Sequence, residues 1–214
     1  MREVVETTCL EAFSDGVFAV AITLLALGLV VPNHDAVQHQ HGLLPALAAE
    51  WEAGLAYILS FPTILVMWVN HHKMFVAIRR TDHIFLLLNG SLLFAITTFR
   101  FVTSLLATYL AQGDVSDKKA AQFIYSGVSL AMAISFIRMR RYASSKRRLI
   151  GATASDDSVR RVTRQFAFGP PIYLATMAVA FVSAELSLAI CIGLAIFFAL
   201  PGSQKQGAPD EIAS

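Results

Sequence analysis

The sequence predicts an all-α membrane protein with six transmembrane helices per chain, and three observations predict it. Apolar residues fill 56% of the 214 positions and charged residues only 15%, against roughly 25% charged in soluble domains. Apolar stretches approaching the ~20 residues that cross a bilayer recur along the chain. The basic residues gather in two connections, the pattern that the positive-inside rule associates with cytosolic loops.

The first span covers about Leu10 to Val31. It reads as a retained helix rather than a signal peptide. Glu3, Glu6, Glu11 and Asp15 precede or enter it, and no small-residue cleavage site follows before Pro32. The second span, about Ala53 to His72, is interrupted by Pro62. The third runs from about Ile84 to Leu110 and the fourth from about Ala120 to Met139. The fifth, about Phe166 to Ser183, is entered through Pro170-Pro171. The sixth, about Leu186 to Leu200, is closed by Pro201-Gly202. Glu185 is the only charge between Arg164 and Lys205, so the last two spans form a tight hairpin. Residues 1–202 then make one transmembrane domain, and 203–214 a short polar tail.

Charge fixes the orientation. The connection from Pro32 to Glu52 has no Lys or Arg, whereas the next has Lys73, Arg79 and Arg80. Nine of the seventeen basic residues, from Arg138 to Arg164, lie in or beside the connection after the fourth span. Both termini and this basic loop, about 140–165, are therefore expected in the cytosol. The loop reads as topogenic and in contact with anionic headgroups, with no nucleic-acid partner. His34, His39 and His41 read as an exposed outer loop rather than a zinc site. Cys9 and Cys191 read as unpaired thiols. No metal and no cofactor are expected.

The chemistry starts at the first span. Phe13-Ser14-Asp15 stands at the mouth of a run, Gly16 to Pro32, that has no charge and a single hydroxyl, Thr23. A charged side chain costs about 2.5–3.5 kcal/mol at the centre of a membrane helix and less near its end, where a carboxylate also meets the positive end of the helix dipole. Val20, Leu24 and Leu27 fall on one helical stripe, with Thr23 beside it. Periodicity alone leaves lipid, core and pore open for that stripe. The second span ends in Trp68-Val69-Asn70-His71-His72, where Trp68 and His72 share a face at the level of Asp15. Asn89 lies inside the third span and needs a partner. Ser14, Asp15, Trp68, His72 and Asn89 are thus expected to converge near the cytosolic boundary.

The run from Phe13 to Leu25, followed by Trp68 with His71-His72 and then Asn89, resembles the prokaryotic branch of the transmembrane protein 175 family of potassium-permeable channels. The resemblance implies a homotetramer in the cell (plasma) membrane, its central pore lined by the first helix of each chain. It implies that Val20, Leu24 and Leu27 form apolar constriction rings with Thr23 as a polar ring, and that K+ is the permeant ion. Phe13, Ser14, Asp15, Trp68, His72 and Asn89 would anchor the pore helix. Two positions depart from the family pattern. Cys9 stands where an Arg or Lys is usual, and Arg100-Phe101-Val102-Thr103 replaces a Pro-Phe-Pro-Thr-like run. Arg100 lies roughly 24 Å along its helix from Ile84, near the outer face. It is expected to snorkel outward or to meet Asp35, Glu50, Glu52 or Glu185.

No Thr-Val-Gly-Tyr-Gly-like carbonyl filter is present. Apolar rings gate by dewetting, and a hydroxyl ring replaces part of an ion's hydration shell. The expected function is a cation channel with a modest preference for potassium. A proton channel with His72 and Asp15 as relay, or a secondary transporter, are the alternatives. An enzyme is not expected, since no nucleophile–base pair lies in the spans.

Overall fold

The computed structural model describes residues 7–78, 80–145, 149 and 167–199. These residues form eight α-helices: α1 (Thr7–Ala26), α2 (His34–His39), α3 (Leu43–Ala49), α4 (Trp51–Ala77), α5 (His83–Gln112), α6 (Val115–Ser144), α7 (Gly169–Ala180) and α8 (Ala184–Ala199). Four of them, α1, α4, α5 and α6, are long and apolar enough to cross a membrane. The expected fifth and sixth spans appear as a packed pair of shorter helices, of 12 and 16 residues. Most of the basic loop and all of the C-terminal tail lie outside the described residues.

Several boundaries differ from the sequence expectation for local reasons. α1 ends at Ala26, short of Val31, because three-residue hydrogen bonds tighten the chain there: Leu27 N–H reaches Leu24 O at 3.2 Å and Gly28 N–H reaches Leu25 O at 3.0 Å. α4 is not interrupted at Pro62 but runs through it; the neighbouring turns keep their own bonds when one N–H is missing. Between α1 and α4 the chain folds into α2 and α3 rather than a plain loop. Asn33 caps α2 by accepting from Ala36 N–H at 2.8 Å. Asp82 and Asp114 cap α5 and α6, accepting from Phe85 N–H at 3.0 Å and Asp117 N–H at 2.9 Å. Asp82 also accepts from the Tyr142 hydroxyl at 2.6 Å, which ties the start of α5 to the end of α6.

α5 is the central helix and packs against α1, α4 and α6. Its buried residues Phe85, Leu92, Ile96, Phe99 and Leu106 form the spine of the core. α1 presents Leu10, Ser14, Phe18, Ala21 and Leu25 to α4 and α5. That spacing of three and four residues is one helical face. A second, polar core joins α6 to the α7–α8 pair. Gln122 Nε2 donates to Ser187 Oγ at 2.9 Å, and Ser187 Oγ donates to Thr176 O at 2.8 Å. Ser126 and the buried free thiol of Cys191 border the same amide, while Cys9 is exposed and free. Polar side chains inside an apolar bundle are favoured when they bond one another, and these bonds contribute to the association of the three helices.

Candidate functional site

The buried face of α1 carries a chain of polar contacts. Ser14 is fully buried and donates its proton to Leu10 O at 2.8 Å. Its oxygen must therefore accept from Asn89, whose Nδ2 lies 2.8 Å away. That orientation turns Asn89 Oδ1 toward His71 Nε2 at 2.9 Å, so Nε2 carries the imidazole proton. The His71 ring lies between Phe18 and Phe75, with centroids at 5.2 and 4.5 Å.

A second, wetter layer lies beside the first. Trp68 Nε1 donates to Asp15 Oδ1 at 2.9 Å. His72 stacks on the Trp68 indole, with centroids 5.8 Å apart, and its Nδ1 meets Glu11 Oε1 at 3.2 Å. Glu11 and Asp15 are one turn apart on α1, as Trp68 and His72 are on α4. The two pairs match in reverse order, as antiparallel helices require.

Ser14, Asp15, Trp68, His72 and Asn89 are thus brought together, in two layers rather than one. Two members were not anticipated as partners. His71, not His72, bonds Asn89, and Glu11 is the partner of His72. The signal for His71 was available: it lies seven residues after buried Ile64 and four before buried Phe75, on the inward stripe of α4. Phe13 does not join the cluster. It is 61% exposed, because one residue rotates the side chain by about 100° around the helix, away from Ser14.

Among the described residues, the opposite face of α1 is largely uncovered. Val20, Thr23 and Leu24 are exposed on it, and Leu27 is exposed in the turn beyond it. With Phe13, Gly16 and three residues of α5, Ile96, Thr97 and Arg100, part of this face borders a cleft of about 510 Å³. A Cβ added at Gly16 would meet nothing within 4 Å. The Thr23 hydroxyl donates to Val20 O at 3.0 Å, leaving its oxygen lone pairs outward.

Arg100 borders a second cavity, of about 370 Å³, together with Glu50, Glu52, Tyr57 and Gln112. It forms no ion pair with a described carboxylate; Glu52 instead accepts from Gln112 Nε2 at 2.7 Å. The Arg100 guanidinium packs on the turn that ends α1, 3.3 Å from where a Cβ on Gly28 would lie. A cation at the C-terminal end of a helix is favoured by the helix dipole and the free carbonyls there.

Comparison with known proteins agrees with this arrangement. The family model for the endosomal/lysosomal potassium channel TMEM175 matches residues 9–99, which take in most of α1, all of α2 to α4 and the first half of α5. A potassium channel of Chamaesiphon minutus is 46% identical over 195 residues, covering 91% of this chain and 94% of that protein. A potassium channel of Streptomyces collinus is 38% identical over 193 residues, covering 90% and 91%. The crystal structure of a lysosomal potassium-selective channel TMEM175 homolog from Chamaesiphon minutus superposes with a TM-score of 0.79 at 44% identity, over 90% of this chain and 96% of that one. Sequence identity at this level, sustained over nine-tenths of the chain on a shared helical fold, means that the chain belongs to the TMEM175 family.

Proposed function

We propose that the chain is one subunit of a homotetrameric cation channel with a modest preference for potassium over sodium. The observation that carries this reading is the division of α1. One face is fixed to α4 and α5 by polar contacts, while the other leaves Val20, Thr23, Leu24 and Leu27 exposed among the described residues. Four copies of that face around an axis make a pore of apolar rings with one hydroxyl ring. The names of the relatives support potassium as the permeant ion. Residues 1–202 act as a single six-span domain in the plasma membrane, with α7 and α8 as the last two crossings and both termini in the cytosol.

The rings of Leu24 and Leu27 exclude water when narrow and so close the pore without a moving lid. Thr23 offers oxygen lone pairs to an ion that has shed part of its water. No cofactor takes part. The test is to reconstitute the purified full chain in liposomes and to measure reversal potentials under potassium, sodium and proton gradients. A reversal potential that follows potassium most closely and sodium less supports the proposal. One that follows protons alone supports the proton-channel reading instead, and coupled flux of two solutes supports a transporter.

A further inference from the structure

We propose that Glu11, Asp15 and His72 form a binding site for a divalent transition-metal ion of the zinc class, linking α1 to α4. The site was not expected from the sequence. One ligand atom from each residue lies within 4.8 Å of the other two. The two atoms that already touch, His72 Nδ1 and Glu11 Oε1, are 3.2 Å apart. Zinc at about 2.0–2.1 Å from nitrogen and oxygen holds tetrahedral ligands roughly 3.3 Å from one another. The existing contact therefore has the length of one edge of such a site, and the Asp15 oxygen, within 4.8 Å of both, closes in on the entering ion.

Charge and surroundings fit the same ligand. Among the described residues, neither Glu11 nor Asp15 pairs with a Lys or Arg, and Glu11 meets only the imidazole of His72. Two carboxylates and a neutral imidazole carry a net charge of −2, which one divalent ion neutralises. Trp68 donates to Asp15 Oδ1 and stacks on the His72 ring. An N–H donor to a ligating carboxylate is the outer-shell support that metal sites use. The His72 side chain is 48% exposed, so an ion has a path in, and water can fill the fourth position. A nitrogen–oxygen donor set on a half-exposed site suits zinc better than magnesium or calcium, which prefer oxygen alone.

The experiment is zinc titration of the tag-free, detergent-solubilised full chain, with bound metal counted by mass spectrometry after equilibrium dialysis. We expect one zinc per chain. His72→Ala and Glu11→Gln should each weaken binding by about 10–100-fold, the range seen even for loss of supporting groups. His72→Cys should keep one metal per chain and shift preference toward cadmium, because a thiolate is a softer ligand. That variant also separates loss of the ligand from loss of the fold. Replacing His34, His39 and His41 together by Gln should leave binding unchanged. Absence of saturable binding by the unmodified chain overturns the proposal. So does binding that survives both His72→Ala and Glu11→Gln, or that disappears with the three outer histidines.

Discussion

Trp68 and Asp15 meet between α4 and α1, the indole nitrogen 2.9 Å from the carboxylate oxygen. This contact answers how the carboxylate at the mouth of an apolar helix is satisfied when position 9 is Cys rather than a basic residue. A neutral N–H donor holds it, with Glu11 and His72 alongside.

Trp68→Phe keeps the ring and removes the donor, leaving a half-buried carboxylate without its bond. A hydrogen bond to a charged group contributes about 1.5–3 kcal/mol, and partial solvent access reduces it toward the lower end. Asp15→Asn keeps an oxygen acceptor for the indole. Thermal unfolding in detergent should therefore fall clearly for Trp68→Phe and little for Asp15→Asn. The reverse order would mean that charge, not the hydrogen bond, holds the helices.

Asn89→Leu removes two of the three bonds of the buried layer and strands His71 Nε2 without an acceptor. Hydrogen bonds between membrane helices average about 0.6 kcal/mol and reach about 1.7. We expect a loss of about 1–2 kcal/mol, larger than that of Ser14→Ala, read from unfolding of the two variants side by side.

Leu24→Ala and Leu27→Ala widen the narrowest rings of the proposed pore and should raise basal current in liposomes. Thr23→Val keeps the shape and removes the hydroxyl, so the potassium-to-sodium ratio should move toward one. Unchanged currents in all three variants would move the ion pathway off this face of α1.

Gly28→Ala places a methyl group 3.3 Å from the Arg100 guanidinium and 3.2 Å from Leu25 O. The flexible arginine must yield and loses its position at the end of α1. Stability should fall in the single variant and fall less when Arg100→Gln is already present. A double-mutant cycle with no coupling would show that the two residues are neighbours without consequence.

Much of this was written in the sequence, because membrane helices are long and their polar residues few. Asp15, Trp68 and Asn89 were conspicuous for lying at helix ends or inside apolar runs, and each has a polar partner in the structure. The choice between His71 and His72 was not legible from their level in the membrane, since adjacent residues share it. Only their rotation around α4 distinguishes them, and this depends on which stripe packs against α5. The same rotation around the helix turns Phe13 away from the cluster that Ser14 joins. The cluster of Gln122, Thr176, Ser187 and Cys191 was hidden because its members lie on three helices, with no spacing rule to connect them. The ends of α1 and α4 followed local rules less well: a tightened turn at Gly28 shortened one, and Pro62 failed to stop the other.

Among the described residues, every side-chain hydrogen bond or ion pair from α1 to another helix falls between Glu11 and Asp15. Beyond them α1 is held by the apolar side chains of Phe18, Ala21 and Leu25 and, at its last turn, by the Arg100 guanidinium. The helix is a cantilever, clamped by polar contacts at one end and held by packing without interhelix polar side-chain bonds along the rest. Leu27 lies twelve residues past Asp15, roughly 18 Å along the rod, so a tilt of about 3° at the clamp swings it by about 1 Å. Small adjustments among Glu11, Asp15, Trp68 and His72 are thereby magnified into ångström-scale changes at the far tip.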